Sequence, residues 1–308
     1  MALYPFQGIP FTNPGYICYC NASVNGILAS ATISSNLVQT HCAICKILLS
    51  MRSDVSNNQS SLLLKEHVAR MYTQFNSKRQ QDPSEFIYCL LKMCSVLSKL
   101  TRSEIISLYK CGNSNCEHLS DDSNSDERFK NIIHLDITGD SVAHIISNAL
   151  TNYELEWKRC HWCNKLCNHI KKQNWMILPS VLIICLQRFK ASRFSKVDPS
   201  ITININGVTY ILRALVTHLG KYVSRGHITT TIHTQEGRWI KCDDIDVSMP
   251  TDHVPKDGFV FIYDQLNLPL ATLNPSNESG LLCFDALKNQ DNQQPINKDF
   301  LSVSPTYL

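Results

Sequence analysis

Apolar residues recur at helical spacing through the first third of the chain and at strand spacing through the last. Leu37-Val38, Ile44, Leu48-Leu49 and Met51 form one stripe, and Phe86-Ile87, Leu90-Leu91, Met93-Cys94 and Leu97 form another. Each repeats every three to four residues, as one face of a helix does. The stretch from about Cys18 to Leu100 is therefore expected to be mostly helical. Ahead of the second stripe, Asp82 or Ser84 can cap a helix. Pro83 is tolerated in the first turn, where its missing N–H would have no intrahelical partner.

Past Lys110 the period changes. Leu119 to Arg128 crowds Ser, Asp and Asn together and reads as a polar loop. Ile132 to Ile137, Val181 to Leu186, Ile201 to Ile205, Val208 to Leu212, His227 to His233 and Phe259 to Tyr263 read as strands. Asn206-Gly207 between two of them is the residue pair that a tight hairpin turn favours. Helices first and strands later predict an α+β fold and not a βαβ array. Beyond Gln265 the chain is rich in Asn, Gln, Pro and Ser, so residues 266–308 are expected to form a loosely ordered tail. There is no internal repeat.

Composition narrows the function classes. With 308 residues, 29 basic against 26 acidic side chains and a net charge of +3, the chain has core enough for one large domain or two ordinary ones, and no electrostatic case for nucleic acid or an anionic membrane. No apolar run approaches the roughly 20 residues of a membrane helix. The opening Met1-Ala2-Leu3-Tyr4-Pro5-Phe6 lacks the charged and apolar regions of a signal peptide. Without such a signal, 14 irregularly spaced cysteines point to metal ligation, catalysis and core packing in a reducing compartment, the cytoplasm or nucleus.

Three groups needed by a thiol hydrolase stand in distinctive settings. Cys18 follows Asn13-Pro14-Gly15-Tyr16-Ile17 and precedes a plausible helix, whose N-terminus favours a thiolate. His227 follows Gly226, and Asp243-Asp244 follow Trp239-Ile240-Lys241-Cys242. A neutral thiol needs a paired imidazole, and the imidazole needs a group to orient it. Cys18, His227 and Asp243 can fill those roles if the fold unites them, with Asp244 as the alternative or supporting carboxylate. Cys20 reads as a small buried hydrophobe.

These and four further blocks resemble the ubiquitin-specific proteases, papain-like cysteine peptidases, over about Asn13 to Gln265. The others are Gln80-Gln81-Asp82-Pro83-Ser84-Glu85-Phe86; Leu178-Pro179 through Leu186-Gln187-Arg188-Phe189; Tyr210 through His218-x-Gly220 to Gly226-His227 and Trp239; and Gly258 to Tyr263. The resemblance implies a thumb over about residues 1–100, fingers over 101–175 and a palm over 176–265. It implies thiol-dependent hydrolysis of the bond after the C-terminal glycine of ubiquitin, with Asn13 as an oxyanion donor, in a monomer acting on ubiquitin and ubiquitinated proteins without an organic cofactor. Peptidase action on another ubiquitin-like modifier, or a weakly active ubiquitin-binding protein, are the alternatives. The ubiquitin tail carries two arginines and ends in two glycines. Asp82 and Glu85 can meet the arginines or merely cap a helix, while His218, Gly220 and Gly226 are expected to line the narrow groove. Four positions depart from the family: Ile228 for Tyr, Ile240 and Cys242 for aromatics, and Cys185 for His.

Cys111-x₄-Cys116 and Cys160-x₂-Cys163 are paired-cysteine knuckles that together suit a structural zinc. The first is two residues wider than usual, so His118, Cys167 or His169 is an alternative ligand. A third pair, Cys42 and Cys45 beside His41, lies in a helical apolar stripe and is expected to pack in the core.

Overall fold

A computed structural model of the chain describes residues 6–39, 42–53, 59–116, 118–123, 125–188, 196–222, 225–249 and 254–266. The helical part comes first, as α1 (Cys18–Ala29), α2 (Ala31–Asn36), α3 (Ala43–Ser53), α4 (Ser60–Ala69), α5 (Pro83–Met93) and α6 (Ser95–Thr101). Next come β1 (Ser103–Cys111), β2 (Leu119–Asp121), β3 (Phe129–Lys130), β4 (Ile133–Leu135), α7 (Val142–Thr151), β5 (Glu154–Arg159) and β6 (Leu166–Ile177). The last strands are β7 (Val181–Leu186), β8 (Thr202–Ile205), β9 (Val208–Tyr222), β10 (Arg225–His233), β11 (Trp239–Asp243), β12 (Asp246–Ser248) and β13 (Gly258–Gln265).

Five strands form a ribbon-like sheet in the order β2-β1-β6-β5, with β3 on β1. Eight form the main sheet, β12-β11-β10-β9-β13-β7-β4, with β8 on β9. All pairings are antiparallel except β4 with β7. This is the α+β arrangement read from the patterning. The expected tail, like His41 and Phe189, lies outside the described residues.

Helix α1 is the axle of the helical part. Every residue from Cys18 to Leu28 is buried, so it shows no polar stripe and packs on all sides, as a central helix must. Gly26 lets it approach the sheet: a Cβ there would lie 3.2 Å from Ile262 Cδ1. Thr230 Oγ1 of β10 donates to the Ala22 carbonyl at 2.7 Å, and Asn25 pairs in both directions with the Ile9 backbone at 2.8 and 3.0 Å. On the far side, Tyr19, Phe75 and Phe86 pack with ring centroids 5.2 to 5.9 Å apart. Removing such a buried ring typically costs about 3–5 kcal/mol. These contacts hold α1 against β10 and the main sheet.

Local signals explain the elements that were legible. Asp82 is the N-cap of α5, accepting from Ser84 N at 2.7 Å, with Pro83 at the first helical position. Asn206 and Gly207 both have positive φ, 49° and 82°, as the hairpin joining β8 to β9 requires. Two expectations change. The stripe from Phe86 to Leu97 is two helices, because Cys94 is extended (φ −125°, ψ 105°) and ends α5 before capping α6. The polar stretch Leu119 to Arg128 contains β2 and a short 3₁₀ turn at Asp126–Arg128. There, polar side chains point to solvent while the backbone pairs with β1.

Candidate active site and sulfur cluster

Cys18 opens α1, with Ile17 as N-cap. His227 lies near the start of β10, beside a register irregularity between Arg225 and His227. Asp243 ends β11. The register pairing Thr230 with Cys242 sets Asp243 diagonally across from His227 on one face of the sheet. Sequence positions 227 and 243 thus meet on two neighbouring strands, and the amide of Ile228, the residue after His227, reaches Cys18 at the start of α1.

The imidazole and its carboxylate are joined directly. His227 Nε2 donates to Asp243 Oδ1 at 2.5 Å, and Lys241 Nζ donates to Asp243 Oδ2 at 2.7 Å. Burial raises the Asp243 carboxyl, but the hydrogen bonds and charges of His227 and Lys241 outweigh it and leave its pKa below the usual value. With Nε2–H committed to Asp243, Nδ1 carries the lone pair that a general base needs.

The thiol is in a different state. Cys18 is fully buried, and burial pushes its pKa up. The Ile228 amide beside it pulls the other way, while the Asp244 charge adds to the rise. None of the described hydrogen bonds joins Cys18 to His227. The arrangement therefore holds a buried thiol at the Ile228 amide and, one residue earlier on β10, an imidazole already oriented by a carboxylate.

Asp244 does not orient the ring. Its Oδ2 is 4.0 Å from His227 Nε2 and accepts from Asn13 Nδ2 at 2.7 Å, while Oδ1 accepts from Asn21 Nδ2 at 2.7 Å. Asp244 has φ 53°, the turn conformation between β11 and β12, and its carbonyl accepts from Phe11 N at 2.9 Å. Asn13 is turned to face it because its own Oδ1 accepts from Gly15 N and Ile17 N at 2.8 and 3.1 Å. One N–H of the Asn13 amide is thereby used. None of the described hydrogen bonds uses the second.

The groove residues have structural roles as well. Gly220 and Gly226 flank the buried His218 ring; a Cβ would lie 2.9 Å from His218 Cε1 at Gly220 and 2.7 Å from it at Gly226. The same Cβ atoms would meet the Arg225 and Leu219 carbonyls at 2.5 and 2.6 Å, so neither position admits a side chain. Asp82 spends Oδ1 on the α5 cap, accepting also from Ser84 Oγ at 2.6 Å. Glu85, one turn on, is exposed and accepts from Gln74 Nε2 at 3.3 Å. The family departures Ile228, Ile240, Cys242 and Cys185 are all buried, filling core space where larger rings are common.

Three residues at the site escaped the sequence reading. Gln80 bonds the Gly226 backbone in both directions, accepting from Gly226 N at 2.8 Å and donating from Nε2 to Gly226 O. Lys241 holds Asp243, and Asn21 holds Asp244. Lys241 stands two residues from a candidate carboxylate, which was a usable signal. Gln80 and Asn21 carried none beyond lying in or beside the family-like blocks.

At the tip of the ribbon, Cys111, Cys116, Cys160 and Cys163 place their sulfurs within 4.8 Å of one another. Cys111 to Cys163 is 3.9 Å and Cys116 to Cys160 is 3.8 Å. A tetrahedral zinc with Zn–S of about 2.3 Å has S···S edges of about 3.8 Å, so the four residues fit that ion. The wide first knuckle closes because Cys116 N bonds the Asn113 carbonyl at 2.8 Å. Gly112 is required where a Cβ would strike the Asn168 carbonyl at 2.1 Å. Cys167 lies 3.5 Å from Cys111 and groups with His169, whereas His118 stacks on Trp162 at 5.3 Å.

Known proteins share this outline. A family model described as ubiquitin carboxyl-terminal hydrolase matches residues 9–263. Among curated proteins, the chain is similar to ubiquitin carboxyl-terminal hydrolases 15 and 23 of Arabidopsis thaliana, at 20% and 24% identity, covering 93% and 95% of this chain. It covers only 36% and 40% of their lengths. A human relative, ubiquitin carboxyl-terminal hydrolase 17-like protein 15, is 24% identical over 84% of this chain and 54% of its own. Among solved structures, the SAGA DUB module bound to monoubiquitin and the SAGA Ubp8/Sgf11/Sus1/Sgf73 module bound to ubiquitin aldehyde match with TM-scores of 0.71 and 0.70. Both are 15% identical and cover 87% of this chain and 72% of theirs, a likeness of fold.

Proposed function

Because this chain belongs to the ubiquitin carboxyl-terminal hydrolase family, whose model its residues 9–263 match, we propose that it hydrolyses the isopeptide or peptide bond after the C-terminal glycine of ubiquitin. The observation that carries the reading is the His227–Asp243 pair at 2.5 Å, set beside the helix start that presents Cys18. His227 Nδ1 takes the Cys18 proton, and the thiolate attacks the glycine carbonyl. The new S–C bond drives electrons onto the carbonyl oxygen, where the free N–H of Asn13 donates. Collapse expels the lysine amine, which receives the proton from His227. Water, deprotonated by the same imidazole, then cleaves the thioester and restores the thiol.

The neutral, buried thiol makes proton transfer the step that substrate must promote. Threading two glycines between Gly220, Gly226 and the helix start excludes water and would set the scissile carbonyl against the sulfur, so that attack follows proton transfer directly. The four ribbon sulfurs suit zinc as a structural ion. When bound, such an ion would supply folding energy and no chemistry to the cleavage.

The decisive experiment uses a ubiquitin derivative ending in an electrophile, with parallel probes made from two ubiquitin-like modifiers. Covalent labelling of Cys18 by the ubiquitin probe, abolished in Cys18→Ala while ubiquitin binding persists, is the expected result. Labelling by another modifier's probe alone would move the substrate class. The missing Cys18–His227 hydrogen bond favours one second reading, a ubiquitin-binding protein of low turnover, in which binding is retained but labelling fails.

A further inference from the structure

The helical part holds a third group of sulfurs used by neither site above. Cys42 immediately precedes α3, Cys45 sits in its first turn, and Cys94 is the residue between α5 and α6. The chain brings Cys94 to the other two from about fifty positions away, and all three sulfurs lie within 4.8 Å of one another. Cys45 to Cys94 is 3.2 Å. Cys20, Cys89, Cys185 and Cys242 are equally buried, yet none belongs to such a group among the described residues. Packing alone therefore does not gather thiols in this core.

The local geometry turns backbone amides toward two of the three sulfurs. Cys94 Sγ caps α6, accepting from Leu97 N at 3.5 Å, and Cys42 stands where it meets the amide end of α3. Helix N-termini stabilise negative sulfur. The Cys42-x₂-Cys45 spacing is that of a metal knuckle. A disulfide would join only two sulfurs at about 2.05 Å. Three sulfurs gathered from two segments instead supply three corners of a coordination tetrahedron. The 3.2 Å between Cys45 and Cys94 is shorter than the 3.8 and 3.9 Å edges at the ribbon tip, and an ion between them would widen it. Cys45 and Cys94 are fully buried, whereas Cys42 is half-buried, so the fourth corner opens on its side.

We propose that Cys42, Cys45 and Cys94 form a second metal site that binds one zinc ion through three thiolates, with an exchangeable fourth ligand on the Cys42 side. Binding transfers the thiol protons to solvent and ties the start of α3 to the α5–α6 junction behind α1. This site depends neither on the catalytic residues nor on the ribbon cluster.

Elemental analysis of the full chain, purified without chelator, tests it. Two equivalents of zinc are expected, falling to one in Cys160→Ser/Cys163→Ser, which spares the helical cluster. Cys42→Ser, the least buried of the three, is expected to lose the helical ion to a competing chelator at least tenfold more readily. Because that variant can misfold, a second readout uses the unaltered protein: alkylation of Cys42, read by peptide mass, should rise severalfold after chelation. The proposal is overturned if Cys160→Ser/Cys163→Ser retains no zinc, if Cys42 labels equally with and without chelator, or if Cys45 and Cys94 are recovered as a disulfide. One equivalent that survives Cys160→Ser/Cys163→Ser, in a protein that starts with only one, would instead uphold this site and remove the ribbon one.

Discussion

Gln80 and Gly226 hold each other by a pair of amide hydrogen bonds although 146 positions separate them. The contact ties the segment leading into α5 to the residue before His227. Two bonds of about 1 kcal/mol each predict a roughly thirtyfold fall in kcat/KM for Gln80→Ala, measured with a fluorogenic ubiquitin substrate. Gln80→Glu keeps the acceptor for Gly226 N and loses the donor, so it should fall between. Unchanged kinetics in both variants would reduce the clamp to packing.

Asn13 and Asp244 are predicted to act as one unit. Asn13→Ala should lower kcat by about 10²–10³, and Asp244→Ala should approach that loss because it releases the amide that Asn13 presents. The double variant should then be little worse than Asn13→Ala alone. Asp243→Ala should lose about 10²–10⁴ by freeing the imidazole. Additive losses at Asn13 and Asp244 would show that the two do not work together.

The raised Cys18 pKa predicts a slow, pH-dependent thiol in the free protein. Alkylation of Cys18 by iodoacetamide should climb steadily from about pH 6 to beyond pH 9, because the thiolate fraction grows about tenfold with each step of one in pH below the pKa. A ubiquitin-derived electrophile, which fills the groove as it reacts, should label Cys18 at neutral pH far faster than iodoacetamide does. A flat iodoacetamide profile between about pH 6 and 8 would mean a preformed ion pair.

Asp82 and Glu85 are expected to separate cleanly. Asp82→Ala removes the α5 cap and should cost about 1 kcal/mol of stability by urea unfolding. Glu85→Lys leaves the cap intact and should raise KM for ubiquitin substrates with stability little changed. If Glu85→Lys alters neither, its carboxylate does not meet the ubiquitin tail.

Alkaline conditions should destabilise the fold. Burial pushes the Cys185 and Cys242 thiols up to about 12. Groups whose folded pKa is raised stabilise the protein below their unfolded pKa, about 8.5 for a thiol. That contribution declines as pH rises from there toward 12, because the unfolded chain alone releases the protons. The urea midpoint should therefore drop between about pH 8 and pH 10.5, and a constant midpoint would contradict the buried, neutral thiols.

Where a segment had one physical fate, the chain itself announced it. Val181 to Leu186 is apolar at every position and is buried at every position in β7. Asn206-Gly207 dictates its own turn, and Asp82-Pro83-Ser84 starts a helix by chemistry contained in three residues. Strand β5 was not legible because it buries neither face: Leu155 and Trp157 remain 70% and 62% exposed.

Residue types and order, together with the family resemblance they carry, nominated Cys18, His227, Asp243 and the four ribbon cysteines, because nucleophilic and metal chemistry demand those side chains in few local settings. Which carboxylate faces the ring, what Gln80 holds, and that Cys94 joins Cys42 and Cys45 were decided only by folding. Those contacts depend on strand register and helix packing, which sum over the whole core, and no local stretch of sequence carries that sum.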